Sequence, residues 1–345
     1  MQLNLYCRGR QPTEFCPEEL KNKWQSLSDE ISAHQRAFIE AKLSLNEFSI
    51  QDILPEKLYI KYQEVKDQIQ DHVLKNCEKP KNYDFLCDLD RLIGDIKQQE
   101  LQIDATRVKF TPSNREFLQK IRKTSPIVNY NMFGTKTGRL TTKPGSFPIL
   151  TLNKEYRSII QPQKDCFLEM DFNAFELRVL LALMGQEQPS MDLHEWNVEN
   201  IYRGLGTREE AKKRVFAWLY NPNSEDKLTN RYYDRGKIKE RFYSNGEVKT
   251  IFNRKIESDD YHAFNYIVQS TASDLFMQQA VKLHKFLERS NIAFLIHDSL
   301  VIDFDKRDLN QINEIRENFS QTIFGDFPIL VKIGKNYGEM KEWKL

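Results

Sequence analysis

Cys166-Phe167-Leu168-Glu169-Met170-Asp171-Phe172-Asn173-Ala174-Phe175-Glu176-Leu177-Arg178 changes its periodicity midway. Its first six residues form a short, mostly apolar run that ends in an acid. From Phe175 to Met184 the apolar positions recur at helical spacing. The reading is a strand followed by a helix, with Asp171 at the strand's end. Further along, Ala293-Phe294-Leu295-Ile296 and Leu300-Val301-Ile302-Asp303-Phe304 flank His297-Asp298-Ser299. That pattern predicts strand, tight turn and strand, with Asp298 at the tip. Taken singly, an acid at a strand end also fits a helix cap. Two carboxylates brought side by side can instead hold two Mg²⁺ ions roughly 3.5–4 Å apart, a site that suits few protein ligands plus substrate phosphates.

Between these acids, Thr207 to Tyr220 reads as a helix, with Thr207 and Glu210 spaced as a capping box and Asn221-Pro222-Asn223 as its stop. Arg208, Lys212, Phe216 and Tyr220 recur every four residues, so they line one slowly winding stripe. Two cations at a helix N-terminus add to the dipole's attraction for an anion such as a triphosphate, and the two aromatics can stack on a sugar and base. The same stripe also fits a solvated basic face with two core aromatics.

The remaining chain falls around these segments. Residues 17–107 read as helical, with apolar stripes through Leu20, Trp24, Leu27, Ile31 and Phe38, then Leu58, Tyr62, Val65 and Ile69. Residues 111–148 are dense in Pro, Gly, Ser and Thr and read as loop and turn. A polar, basic and aromatic stretch covers 227–254, with a hairpin signal at Ser244-Asn245-Gly246-Glu247. A long helix is expected from Tyr261 to Arg289, then a last helix and a strand over Ile329–Ile333. No internal repeat is present.

Of the 345 residues, 40% are hydrophobic, enough to build a core, and 29% are charged. The net charge of +1 gives no bulk signal for a polyanionic partner. The five cysteines contain no C-x-x-C pair and read as free thiols. No run of about 18 apolar residues predicts a membrane span. Met1 to Gln11 lack the apolar core of a signal peptide, so the expected compartment is the cytoplasm of whatever cell holds the protein.

The chain resembles the family A DNA polymerases, the DNA polymerase I family. Asp171-Phe172-Asn173-Ala174-Phe175-Glu176-Leu177-Arg178 is similar to that family's motif A, the Arg208, Lys212, Phe216, Tyr220 stripe to motif B, and His297-Asp298 in its hairpin to motif C. Thr137-Gly138-Arg139-Leu140 is similar to the template-primer contact. The segment from Asn265 through Gln269 to Asp274 resembles the stretch that reads the primer-template minor groove. The similarity runs in order from about Thr135 to the C-terminus.

The resemblance implies an α+β, right-hand polymerase fold with an antiparallel-sheet palm, helical fingers and a reduced helical thumb. It implies DNA replication chemistry: addition of dNTPs to a primer 3′ end on primer-template DNA. Asp171, Asp298 and the Phe172 backbone carbonyl would bind two Mg²⁺ ions, with Mn²⁺ as a substitute. Arg208, Lys212 and His194 would hold the triphosphate, with Lys212 donating a proton to pyrophosphate. Phe216 would stack on the sugar, Tyr220 would guard the templating position, and Glu176 would exclude a ribose 2′-hydroxyl. Arg139, Asn265, Gln269 and His297 would contact the primer terminus or the minor groove, whose acceptors are common to all base pairs.

The chain also departs from the family. Ser299 stands where the family has Glu, Asn221 where it has Gly and Ala174 where it has Gln, and the stretch from Tyr220 to Asn265 is short. The expected division is a helical N-terminal region or reduced thumb over 1–110, palm over 111–185, reduced fingers over 186–262 and palm over 263–345. No proofreading exonuclease is expected in the chain; a separate exonuclease or a processivity factor would be its partner. A single-subunit RNA polymerase-like enzyme and a catalytically weak DNA-binding accessory subunit are the competing readings.

Overall fold

The computed structural model describes residues 3–43, 45 and 48–343. The chain divides into two compact units, Met1–Cys87 and Asp88–Leu345.

In the smaller unit, helices Glu18–Glu40 and Glu56–Asn76 form because their apolar residues recur every three or four positions. Leu27 and Ile31 from the first bury against Leu58, Val65 and Ile69 from the second, with Trp24 and Tyr62 packed alongside. Ser49 and Asp52 form a capping box ahead of Ile53, which joins the same core.

The larger unit is built on a five-stranded antiparallel sheet. In spatial order its strands are Lys341–Glu342, Ile329–Gly334, Cys166–Phe172, Ser299–Phe304 and Asn291–Ile296. Cys166–Phe172 is the central strand, so its even and odd positions face opposite sides. On one side Phe172 stacks on Phe175 and Phe319, at ring distances of 4.5 and 4.4 Å. Those rings belong to helices Phe175–Leu183 and Ile312–Ser320, and Phe276 of helix Asp260–Phe286 meets Phe319 edge-on. The other side carries Phe167, Glu169 and Asp171.

Four helices, Leu193–Asn200, Arg208–Tyr220, Lys227–Tyr233 and Arg235–Phe242, lie between the two halves of the sheet in sequence. Trp218 is fully buried among Tyr233, Phe264 and the guanidinium of Arg235. A small three-stranded sheet of Tyr243–Ser244, Glu247–Lys249 and Lys255–Glu257 follows. Its first turn has positive φ at both Asn245 and Gly246, as a two-residue hairpin requires.

The expected elements differ from the observed ones in several places. Helix Arg115–Lys123 lies inside the stretch 111–148, expected as loop and turn. The stretch 227–254, expected as polar, basic and aromatic with a hairpin, also contains two short helices; Asp226 and Asp234 cap them. The long helix ends at Phe286 because Leu287 turns extended. The unit boundary falls at residue 87 rather than near 110. Helix Tyr83–Gln98 straddles it, and its later residues bind the larger unit: Asp88 pairs with Lys285 at 2.5 Å and Asp95 with His284 at 3.0 Å. A change in loop composition marks where a chain bends, and side-chain pairing decides which unit a helix joins. The described cysteines are all unpaired, and no described helix is long and apolar enough to cross a membrane.

Candidate active site

Sheet register brings the two acids together. Ser299 lies directly opposite Asp171, so Asp298, one residue earlier in the turn, sits at the same end of the adjacent strand. The Asp298 carbonyl accepts a hydrogen bond from the Phe172 N–H at 3.5 Å, and His297 takes a left-handed conformation, φ 50°, to make the turn. Burial pushes the Asp171 carboxyl up to about 6; the neighbouring charges of Glu169 and Asp298 push the same way, while Lys332 and Lys212 oppose them. Burial also raises Asp298, eased only by Arg139. Among the described residues neither carboxylate has a side-chain hydrogen bond or an ion pair.

Such a pair attracts a cation. No group of three or more His, Cys, Asp or Glu exists among the described residues. The donor set therefore fits a hard divalent ion that takes its remaining oxygens from water and substrate phosphate. It does not fit a closed zinc site.

A strained carboxylate of this kind has a measurable cost. Asp171 shifts from 3.8 to about 6, so between these pH values the folded chain holds a proton more tightly than the unfolded chain. The contribution is harmless below about pH 4 and becomes a full penalty above about pH 6. Asp171→Asn is therefore expected to stabilise the metal-free protein at pH 7.5 by on the order of 1–3 kcal/mol, a gain that fades as the pH approaches 4. Urea unfolding in chelator at the two pH values measures it, and equal stability of mutant and wild type at pH 7.5 would overturn the assignment.

A cleft of about 350 Å³ opens beside the acids and is lined by both of them. The stripe Arg208, Lys212, Phe216 and Tyr220 lines the same cleft. The helix starts where the sequence indicates, with the Thr207–Glu210 capping box formed. Ala211, Val215, Trp218 and Leu219 bury its other face, which fixes the stripe's direction. Lys212 Nζ lies 5.8 Å from the Phe216 ring centre. Phe216 also meets Tyr220 at 5.9 Å and His194 edge-on at 5.5 Å.

His194 lines the same cleft and is 3% exposed, and its Nδ1 has no hydrogen-bond partner. Burial lowers its pKa to about 4, so the ring is neutral at pH 7 and acts as a dipole rather than a cation.

Glu176, 4% exposed, also lines the cleft. One oxygen accepts from Arg139 Nη2 and the other from the Tyr220 hydroxyl. Burial raises its pKa, against the pull of Arg139 and Tyr220. The three residues come from three separate sequence segments and lock one another's orientation.

Arg139 and His297 border a second, smaller crevice together with Asp298. Gly138 makes this placement possible. It has φ +80°, and a Cβ there would lie 2.4 Å from Arg254 Nη2. Arg254 is itself held by Asp274, at 2.5 and 3.0 Å. Asn265 donates to the Tyr220 carbonyl at 3.4 Å; it and Gln269, one turn on, border neither cavity.

Sequence reasoning did not single out Asp192, Arg254, Asp274, Glu169 or Lys332. Asp192 binds Arg208, and Lys332 pairs with Glu169 at 2.9 Å on the sheet face that carries Asp171. Asp192 had one visible signal, its place just before a helical pattern, which marks an N-cap. Ser299, the departure in motif C, is buried and donates to the Ile296 carbonyl at 3.1 Å.

No family model matches the chain. In sequence it is similar to DNA polymerase I of Aquifex aeolicus, 20% identical over 279 residues that cover 66% of this chain and 48% of that protein. DNA polymerase I of Chloroflexus aurantiacus is 22% identical over 270 residues, covering 61% of this chain and 29% of that one. A DNA polymerase of Bacillus phage SP01 is 30% identical over 108 residues, covering 27% and 12%. Each match spans less than half the length of the relative. The fold is shared with the POL domain of Pol1 from M. smegmatis, solved in complex with DNA primer-template and dNTP. The TM-score is 0.62 at 12% identity, covering 84% of this chain and 76% of that one. The five-stranded sheet is thus the palm of a right-hand polymerase fold, and the chain is similar in sequence to DNA polymerases named DNA polymerase I.

Proposed function

We propose that the protein is a template-directed DNA polymerase that adds dNTPs to a primer 3′ end by two-metal nucleotidyl transfer. The observation that carries this reading is one cleft lined both by two unpaired, partly buried carboxylates and by a cation–aromatic stripe. The carboxylates suit divalent cations and the stripe a nucleoside triphosphate.

Asp171 and Asp298, with the Phe172 carbonyl, are the residues to hold two Mg²⁺ ions; when bound, these supply a lowered pKa at the primer 3′-hydroxyl and charge stabilisation at the leaving pyrophosphate. Arg208 and Lys212 bind the triphosphate. Lys212 Nζ is the proton donor to pyrophosphate as the bond from the α-phosphorus to the bridging oxygen breaks and the bond to the 3′-oxygen forms. His194, neutral, donates a hydrogen bond to a phosphate oxygen. Phe216 covers the sugar. Tyr220 borders the templating position and braces Glu176. Arg139 and His297 face the primer terminus, and Asn265 and Gln269 face the minor groove. The helical unit Met1–Cys87 serves as a reduced thumb.

Glu176 favours this reading over an RNA polymerase. Its carboxylate lines the cleft and is fixed by two hydrogen bonds, so it would stand against an added 2′-hydroxyl. The unpaired acids favour it over a DNA-binding accessory subunit, which has no need of a costly buried charge pair. Primer extension with Mg²⁺, offered dNTPs or rNTPs on the same template, tests all three. Extension with dNTPs alone is expected. Equal use of both sugars would favour the RNA polymerase, and no extension would favour the accessory subunit.

A further inference from the structure

Arg208 opens the stripe helix, and each of its three guanidinium nitrogens donates a hydrogen bond. Nε and Nη2 donate to the two oxygens of Asp192 at 3.1 and 2.8 Å, and Nη1 donates to Glu209 at 2.6 Å. The two acids differ in how they are held. The Glu209 side chain is 66% exposed and has only its own helix behind it. The Asp192 side chain is 20% exposed and is braced from three more directions. It caps helix Leu193–Asn200, accepting from the N–H groups of His194 and Glu195, and it accepts from Asn173 Nδ2 at 2.6 Å. Burial by itself would raise the Asp192 pKa, but the bonds from Arg208, Asn173 and Glu195 hold it well below the usual carboxylate range.

Asn173 is fixed in turn. Its Oδ1 accepts from the Leu193 N–H and from Arg178 Nη2, both at 3.1 Å. Arg178, fully buried, donates its other bonds to the carbonyls of Asn173, Pro189 and Met191. The brace therefore runs from the end of the strand that carries Asp171, through Asn173 and Asp192, to the first turn of the stripe helix.

We infer that Asp192 is a positioning residue, a fixed anchor that aims Arg208 into the cleft for the triphosphate, and that Glu209 is the exchangeable partner that a phosphate displaces. This rests on the polymerase reading above. The asymmetry follows from solvation. An exposed carboxylate is screened and gives up its partner at little cost. A braced bidentate pair holds the planar fork in one orientation, so less side-chain freedom is lost when phosphate binds. Asp192 touches no reacting atom, so its removal should weaken nucleotide binding and leave the chemical step largely intact.

Asp192→Asn is the informative variant because Asn keeps the helix cap while losing the charge. Expected for it is a KM for dNTP raised about tenfold, with kcat within about threefold of wild type, since a charge-assisted bidentate contact is lost. The Kd for dNTP on a dideoxy-terminated primer-template, where no chemistry occurs, should rise by the same factor. Combined with Arg208→Ala, Asp192→Asn should add nothing to the effect of Arg208→Ala alone, because both act through one contact. Glu209→Gln should not raise KM. Asp192→Ser, also a capping residue, should reproduce the result if the Asn variant folds poorly. An unchanged KM in Asp192→Asn, a loss confined to kcat, or full additivity with Arg208→Ala would each overturn the inference. Wild-type protein that fails to extend a primer would instead overturn the polymerase reading on which the inference rests.

Discussion

Asp298→Ala is expected to lower primer extension by roughly a thousandfold or more, the scale on which loss of charge stabilisation at a developing oxyanion appears. DNA binding should persist. The argument is electrostatic and geometric. Asp298 is a partly buried carboxylate at the tip of a turn whose backbone is held by the Phe172 N–H, and among the described residues it has no side-chain partner. Truncation therefore breaks no ion pair and leaves the sheet register intact. What it removes is one of the two unpaired carboxylates that line the same cleft. An electrophoretic shift with primer-template, beside single-turnover extension in Mg²⁺, separates the two effects. Extension surviving near the wild-type rate would refute the metal assignment. Loss of DNA binding together with extension would mean that the turn is needed for fold rather than for chemistry.

Glu176→Ala is expected to raise ribonucleotide use relative to deoxynucleotide use by on the order of a hundredfold, the range that shape exclusion in a pocket supplies. The side chain is buried and its two oxygens are committed to Arg139 and Tyr220, so it cannot swing aside for an extra hydroxyl. A second consequence follows from the same contacts. Removing the carboxylate leaves a guanidinium and a phenol without their partner, which disturbs both the Arg139 loop and the stripe helix. Deoxynucleotide extension should therefore also fall. Glu176→Gln separates the effects, because it keeps the volume and much of the hydrogen bonding while losing the charge: it should still exclude ribonucleotides. Competition between dNTP and rNTP at one template position gives the ratio directly. An unchanged ratio in Glu176→Ala would remove Glu176 from sugar discrimination.

Local sequence carried much of this protein's organisation. The switch from a short apolar run to helical spacing after Asp171 located a strand and a helix. The Thr207–Glu210 box located the start of the stripe helix, and the positions at every fourth residue located the face it shows the cleft. These features are legible because each is set by neighbours within one or two turns of the chain. The pairing of Asp171 with Asp298 was suggested by pattern, but register brought it about: a slip of one residue between the two strands would turn one acid to the opposite face. Helices in 227–254 were not legible, since their short apolar stripes are broken by charged residues and their caps are single aspartates.

What the sequence by itself determined was most of the long elements, their order, and the acids and cations that most plainly seek a substrate. What only the tertiary structure decided was which polar residues brace them. Asp192 anchors Arg208, Asp274 holds Arg254 against Gly138, and Lys332 neutralises Glu169 beside Asp171. Each of these is a lone polar residue without periodicity, and its partner lies 16 or more positions away. The energy that selects such a pair comes from burying both groups together, and burial is a property of the folded chain alone.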